Sequence, residues 1–542
     1  MSVQPGAMPG AAAPFSIRSI LAPLTAIVLG TFMAILDNTV VNVALPTLER
    51  VFKTDLQLME WVITAYMLAQ AAVIPLAGWL SDRYGSKQVY VTSLTLFTLG
   101  SILCALAPSG PMLIAFRVLQ GLGGGMLMPI GMSFLYRLAP PERRGAVMGA
   151  FGIPILMAPA LGPIISGWLV QYADWRYIFL INVPVGVLAV FLALRWLPAM
   201  TAQRAAGSLD IVGAILGPIG FASVSYGISD SINGGWTGAG TLVGVGVGVV
   251  ALILFAVREL STEHPLLELR VFRSRDFSLA IVTQWVGQAS LFGAMFLIPL
   301  FLQQVRGYGS FDAGLYTLPQ ALAAAAFMPI GGRLFDRIGA RPLVIGGLTL
   351  VAVSTWFMAQ VTGTTTGEEL RWPLAMRGAG MGLMMMPLNT HLLNSAPRHL
   401  VSRVTALTGA LQNVVGSLAI ATLATILQRQ ATGPVATAQA AIKRHTSDTI
   451  TKLAGGAPSG APAGGHAALP PAVLADLKGY AATHIHNAMA IAFGNTFMVA
   501  MAVALVGAVL AFTLRRNPVV AQEGAGAPAA AKPEGAFEAA LG

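Results

Sequence analysis

Apolar stretches long enough to cross a lipid bilayer recur along the whole chain, and they limit the fold before any single residue is weighed. Fourteen can be traced, near 20–46, 57–80, 88–107, 111–138, 144–171, 176–197, 210–229, 238–258, 276–304, 312–333, 342–362, 371–395, 400–428 and 489–514. About 20 helical residues suffice to cross a hydrocarbon core of about 30 Å. The expected fold class is an all-α polytopic membrane protein with 14 transmembrane helices. Composition agrees: 55% of the residues are hydrophobic and only 10% are charged. No cleavable signal peptide is expected, because the first apolar run is too long for one and continues into the protein.

The net charge of +10 does not point to nucleic acid, because the bases follow topology. With both termini in the cytoplasm, 20 of the 32 Lys and Arg fall on that side, and every short loop there is basic. Arg83 and Lys87 occupy one such loop, and Arg137, Arg143 and Arg144 the next. This is the positive-inside pattern.

An internal repeat divides the chain. Gly78-Trp79-Leu80-Ser81-Asp82-Arg83-Tyr84-Gly85-Ser86-Lys87 recurs as Gly332-Arg333-Leu334-Phe335-Asp336-Arg337-Ile338-Gly339-Ala340-Arg341, with an offset of 254 throughout. Repeated halves suggest a substrate path between them, near the bilayer midplane. The expected organisation is a tail over 1–19, a six-helix bundle over 20–200 and an inserted two-helix linker over 201–262. A second bundle follows over 263–428, with its last helix at 489–514 after an extracytoplasmic loop at 429–488. The loop's middle (455–471) is Ala/Gly/Pro-rich and expected to be flexible, with a short helix at 471–485. The tail 515–542 is expected to be disordered.

Two charges lie inside apolar stretches. Asp37 falls within the first, in Leu36-Asp37-Asn38-Thr39-Val40-Val41-Asn42-Val43-Ala44-Leu45-Pro46. A carboxylate near the middle of a membrane helix costs about 2.5–3.5 kcal/mol on insertion scales, and such residues face a bundle interior or a wet cavity. Arg117 falls within the fourth stretch. Counted at 1.5 Å per residue from the same side, Arg117 lies about 9 Å deep and Asp37 about 14 Å deep. Their depths are close, so the two can interact, directly or through water, where their helices are neighbours. Either a static pair or a proton-coupling pair would satisfy that geometry.

Five motifs in order resemble one family. Gly78–Lys87 resembles the loop signature between spans 2 and 3 of the major facilitator superfamily. Leu113-x3-Arg117-x2-Gln120-Gly121-x-Gly123-Gly124-Gly125 resembles its fourth-span motif. Ala158-x3-Gly162-Pro163-x2-Ser166-Gly167 resembles its fifth-span antiporter motif, with Ala158 and Ser166 in place of two glycines. The stretch around Asp37 and Trp175-Arg176-Tyr177-Ile178-Phe179-Leu180-Ile181-Asn182-Val183-Pro184 resemble the fourteen-span drug:proton antiporters of the EmrB/QacA type. The resemblance implies two six-helix halves with two inserted helices. It also implies proton-coupled efflux of amphipathic or toxic organic compounds from a bacterial inner membrane by alternating access. Export of an endogenous metabolite is the alternative, and a non-transporting scaffold or sensor a third. The chain is not expected to be an enzyme.

The resemblance assigns roles to residues. It puts spans 1 and 4 on neighbouring surfaces of the central cavity, so Asp37 and Arg117 are expected to interact and to couple protons. Gly78, Asp82, Arg83, Gly85, Asp336 and Arg337 are expected to form a conformational latch. Pro159, Gly162, Pro163 and Gly167 are expected to give a pliant, sealing helix, since proline removes backbone bonds and small residues allow close approach. Candidate cavity residues are Asn42, Trp61, Tyr66, Gln70, Gln284, Gln288, Phe292, Met385 and Asn389, with Phe296, Met384, Met386 and Asn413 beside them; ordinary helix packing explains each equally well. Arg377 is a candidate buried cation of the second half. Glu60 and Asp312 lie near span ends.

No cofactor is expected, the proton gradient being the drive. Gly121-x-Gly123-Gly124-Gly125 lacks the Lys-Ser/Thr of a phosphate loop, which argues against ATP-driven transport. His484 and His486 are two apart and do not share a helix face, so no metal site is expected. EmrB-like relatives work with a periplasmic adaptor and an outer-membrane channel, for which loop 429–488 would be the surface.

Overall fold

The structure is a computed structural model describing residues 17–54, 56–199, 210–263, 265–397, 400–455 and 471–515. The first half contains α1 (Ile17–Phe52), α2 (Leu56–Tyr84), α3 (Ser86–Ala105), α4 (Gly110–Leu138), α5 (Arg144–Tyr172), a short α6 (Tyr177–Leu180) and α7 (Asn182–Trp196). A hairpin of α8 (Ile211–Gly234) and α9 (Ala239–Ser261) follows. The second half contains α10 (Arg275–Gln304), α11 (Ser310–Ile338), α12 (Ala340–Ala359), α13 (Arg371–Asn394), α14 (Val401–Gly455) and α15 (Pro471–Ala511).

Among the described residues thirteen stretches are long and apolar enough to cross a membrane, α6 and α7 together making one of them. The fourteenth expected span, α13, falls outside that set; it carries Arg371, Arg377, Asn389 and His391. It is nonetheless sandwiched against α11 and α12, and Arg377 and His391 are buried. Its polar groups are paid for by protein partners rather than by lipid.

The two halves meet along α5 and α11 on one side and along α2 and α14 on the other. Small residues make the first seam tight. Gly145, Gly149 and Gly152 of α5 lie against Met328 and Gly332 of α11, and a methyl group on Gly332 would fall on the carbonyl oxygen of Gly145. The inserted hairpin packs against the second seam, where α8 touches both α2 and α14. Glycine-rich α8 uses its glycines to approach α9, Gly227 lying against Gly244. Trp236 Nε1 donates to Thr425 Oγ1 at 2.8 Å, tying the hairpin to α14.

The segment read as loop 429–488 differs. Residues 429–455 continue α14 and 471–488 begin α15. Alanine is the strongest helix former, and the Ala-rich first arm is helix where a loop is expected, while the short helix expected at 471–485 is found as the start of α15. The arms are joined by a stack of Tyr480 between His445 (4.0 Å) and His484 (4.2 Å), and by His445 against Asp476 at 3.3 Å. The stretch expected to be flexible lies, over 456–470, outside the described residues, as do the tails 1–16 and 516–542.

Candidate functional site

The carboxylate of Asp37 and the guanidinium of Arg117 are fully buried and 2.5 Å apart. Three further groups hold the pair. Asp37 Oδ1 accepts from Asn182 Nδ2 at 2.7 Å and Gln120 Nε2 at 3.0 Å. Arg117 Nη1 also donates to Gln120 Oε1 at 2.8 Å, and Arg117 Nε donates to the carbonyl of Val62 at 3.0 Å. Gln120 Nε2 reaches Ser101 Oγ at 2.6 Å. The Tyr66 ring lies flat under the guanidinium, 3.8 Å from its centre.

Four helices therefore converge on one carboxylate: α1 supplies it, α4 the cation, α7 an amide and α3 a supporting hydroxyl. Burying the two charges is tolerable only because nearly every polar atom is bonded. The expected contact of Asp37 with Arg117 is direct. Gln120 and Asn182 lie within the fourth-span motif and the 175–184 stretch, where residue order assigns them no role; their side chains meet Asp37 only through the fold. Cys104, the single cysteine, is buried at the edge of this network, with Sγ 3.5 Å from Gln120 Oε1.

Beside this network, between the halves, lies a cavity of about 260 Å³. Asn38 and Ala34, on α1 next to Asp37, line it, as do Gln70, Gln288, Met385 and Asn413. A second cavity of about 440 Å³ shares Leu156, Pro159, Met295 and Met381 with it and reaches Gln303 at the end of α10. The path thus runs from the centre toward the end of the bundle opposite the basic loops.

The basic end is closed, twice over, by the repeated signature. Asp336 accepts from the backbone N–H groups of Gly145 (2.8 Å) and Ala146 (3.1 Å), the first turn of α5 in the other half. A carboxylate there pairs unsatisfied donors and meets the positive end of the helix dipole. Asp82 also meets the first turn of α14 in the other half, but through side chains, 3.4 Å from Arg403 Nε and 3.7 Å from Arg137 Nη2. Gly78, one turn before Asp82, lets α2 reach Ser402 and Arg403, as Gly332 does one turn before Asp336. Arg137 also donates to Ser402 Oγ across the seam, and Tyr136 OH to Asn394 Oδ1 at 2.7 Å. Gly85 and its repeat Gly339 have φ of 88° and 79°, a left-handed turn that only glycine adopts at little cost. Arg83 and Arg337, expected in the latch, are exposed; the cations facing Asp82 come from α4 and α14.

The antiporter-motif residues sit on the faces of α5 that meet α1 and α11. Gly162 lies against Thr39, Ser166 Oγ donates to the carbonyl of Val40 at 2.6 Å, and Pro163 and Gly167 approach Gly314 and Phe311. Pro159 lines both cavities.

The candidate cavity residues separate into groups. Gln70, Gln288, Met385 and Asn413 line the central cavity, and Phe296 the outer one. Tyr66 is fully buried under Arg117 instead. Trp61 stacks on Tyr226 of the inserted hairpin at 5.9 Å. Gln284 donates to Asn389 Oδ1 at 2.5 Å, behind the wall, where Gln412 Nε2 also reaches it at 3.4 Å. Met384 packs on Gly287 and Gly347, and Met386 on Gly152. The side chains of Asn42, Phe292 and Glu60 lie outside the described residues. Asp312 is exposed at the start of α11. Arg377 is fully buried and donates to Thr355 Oγ1 (2.9 Å) and to the carbonyls of Ser290 (3.0 Å) and Leu291 (3.2 Å). Among the described residues no group of three or more His, Cys, Asp or Glu is placed to hold a metal.

A Multidrug resistance protein B homolog of Mycobacterium tuberculosis is 38% identical over 407 residues, 74% of this chain and 75% of its own length. The Multidrug export protein EmrB of Haemophilus influenzae is 32% identical over 395 residues, 72% of this chain and 78% of its own. The uncharacterized MFS-type transporter YcnB of Bacillus subtilis is 33% identical over 503 residues, 93% and 96% respectively. Among solved structures, the proton:xylose symporter XylE bound to 6-bromo-6-deoxy-D-glucose superposes with a TM-score of 0.58 over 92% of this chain and 97% of that one, at 14% identity; the likeness there is of fold. Residues 27–420 match the family described as Major Facilitator Superfamily, and the chain belongs to that superfamily.

Proposed function

We propose that the chain is a proton-coupled antiporter that exports amphipathic, toxic organic compounds across a bacterial inner membrane, with both termini in the cytoplasm. One observation carries this reading. The buried Asp37–Arg117 pair stands directly behind the wall of a cavity between two halves whose basic end is sealed by a repeated carboxylate contact. In the assigned orientation the sealed end is cytoplasmic and the cavity path leads outward.

A proton arriving from outside neutralises Asp37. The carboxylic acid keeps a hydrogen bond but loses its charge attraction to Arg117 and so loosens α1 from α4. α1 also carries Val40 and Thr39, the partners of Ser166 and Gly162 on α5. α5 in turn begins at the helix end that Asp336 holds. Protonation is therefore read into the packing of the helix that closes the cytoplasmic seam. Rocking of the halves then exposes the central cavity to the other side. The relatives' printed names, multidrug resistance and multidrug export, support the cargo. An adaptor partner, if one is used, would meet the helical arms of α14 and α15.

The test is transport by purified protein in liposomes under an imposed pH gradient. Substrate-dependent proton movement that Asp37→Asn abolishes, in a protein still folded, supports the reading. Loss of folding in that variant would mean a static pair, and absence of any proton movement in the parent would mean a scaffold.

A further inference from the structure

We propose that the central cavity takes uncharged amphipathic compounds bearing hydrogen-bonding groups and discriminates against organic cations. The inference deepens the exporter reading and rests on it. Among the described residues, no Asp, Glu, Lys, Arg or His lines either cavity. Among the described residues no aromatic ring lines the central one: Phe296 faces only the outer cavity, and the Tyr66 face is already covered by Arg117. Proteins hold organic cations with carboxylates or aromatic faces. The described lining of this cavity offers neither, and presents methionines and the amides of Gln70, Gln288 and Asn413 instead.

The buried charge behind the wall has the wrong sign for a cation. The charge of Asp37 is balanced within its own pair. Arg377 is fully buried, and its described partners are a hydroxyl and two carbonyls, with no carboxylate among them. One of those carbonyls belongs to Leu291, which lines the cavity. In a low-dielectric interior this positive charge acts across the wall. A neutral ligand does not meet that repulsion. It can also supply a donor to Gln320 Oε1, a buried acceptor without a hydrogen-bond partner that lines the outer cavity beside Met381; such atoms are rare in interiors. Export of a neutral compound against an entering proton moves net charge in every cycle, so a membrane potential alone would drive it.

Binding to the full chain in nanodiscs at alkaline pH separates the cases, with triphenylphosphine oxide as the neutral probe and tetraphenylphosphonium as the cation. The expected result is neutral binding tighter by about tenfold or more, a step of about 1.4 kcal/mol. Gln288→Glu, or Asn413→Asp should the first variant not fold, replaces an amide donor with an ionised, acceptor-only carboxylate, and is expected to tighten phosphonium binding by a similar factor while weakening the oxide, whose P=O can only accept. Phosphonium binding as tight as oxide binding, no oxide binding, or no response to the added carboxylate would overturn the inference. The exporter reading is read separately, as proton flux in liposomes. Proton-coupled phosphonium transport would keep that reading and sink the neutral preference. Tight oxide binding with no coupled flux for either probe would do the reverse.

Discussion

Gly332→Ala should hold the bundle open at its basic end. The added methyl would fall on the carbonyl oxygen of Gly145, within a stretch where Gly149 also faces Met328 and Gly332. The obstacle is backbone, which has no rotamer to change, so the seam must part or the helices must shift. Overpacking of this kind costs about 1–3 kcal/mol. The methyl is accommodated once the halves separate, so the cost falls on the closed state alone and shifts the open-to-closed ratio by about 5–150-fold. The assay is labelling of a reporter. Cys104 is the single native cysteine and is buried, so Thr408→Cys in the cavity wall gives a clean signal. An impermeant maleimide applied to the cytoplasmic face of inverted vesicles should label it faster in the Gly332→Ala background by about that factor. Gly346→Ala, where a methyl meets open space, is the control and should change nothing. A rate in Gly332→Ala within about twofold of the control, with normal transport, would refute the argument that this seam opens.

Asp82→Asn removes the charge facing Arg137 and Arg403 but touches neither cavity; transport should fall while drug binding stays close to the parent, measured on the same preparation. Weakened binding with intact turnover would place Asp82 in the substrate site instead. Tyr66→Leu removes both the ring under Arg117 and the hydroxyl that donates to the Ala34 carbonyl at 3.3 Å. Thermal unfolding in detergent should show a loss of about 2–4 kcal/mol from lost packing and the lost cation–π contact, and an unchanged transition would mean that the ring contributes little to the pair.

Much of this arrangement can be read from residue order. Apolar runs give the helices because the bilayer demands length and little else. The Asp37–Arg117 contact follows from depth together with the family resemblance: regular helical rise puts both at a similar level, and the resemblance makes spans 1 and 4 neighbours. The repeat at 78–87 and 332–341 locates both carboxylates that meet the opposite half at the basic end, and glycine at 85 and 339 predicts the turns found there. What the order does not reveal is the partner across a seam. Arg83 is adjacent to Asp82 in sequence, yet the cations that face Asp82 are Arg137 and Arg403, the latter 321 residues away; chain proximity and spatial proximity part company at the junction of the halves. Tyr66 and Trp61 both looked like cavity residues, because an aromatic in a span has the same local pattern whether it faces a void, an arginine or an inserted helix. The helix at 471–485 is legible in the sequence, whereas the arm at 429–455 reads as loop for another reason. Alanine is shared by flexible tethers and by stable helices, and here glycine is sparse enough for helix to win.

The central claim is that Asp37 transmits protonation to the seam. The most direct measurement records proton and substrate flux together in liposomes, for wild type and Asp37→Asn, using a compound whose toxicity the chain relieves in cells. Wild type should take up protons only with substrate exchange and respond to the imposed gradient. Asp37→Asn should still exchange labelled for unlabelled substrate at equilibrium but show no gradient-driven transport. A folded Asp37→Asn protein that accumulates substrate against its gradient on a proton gradient would contradict the account.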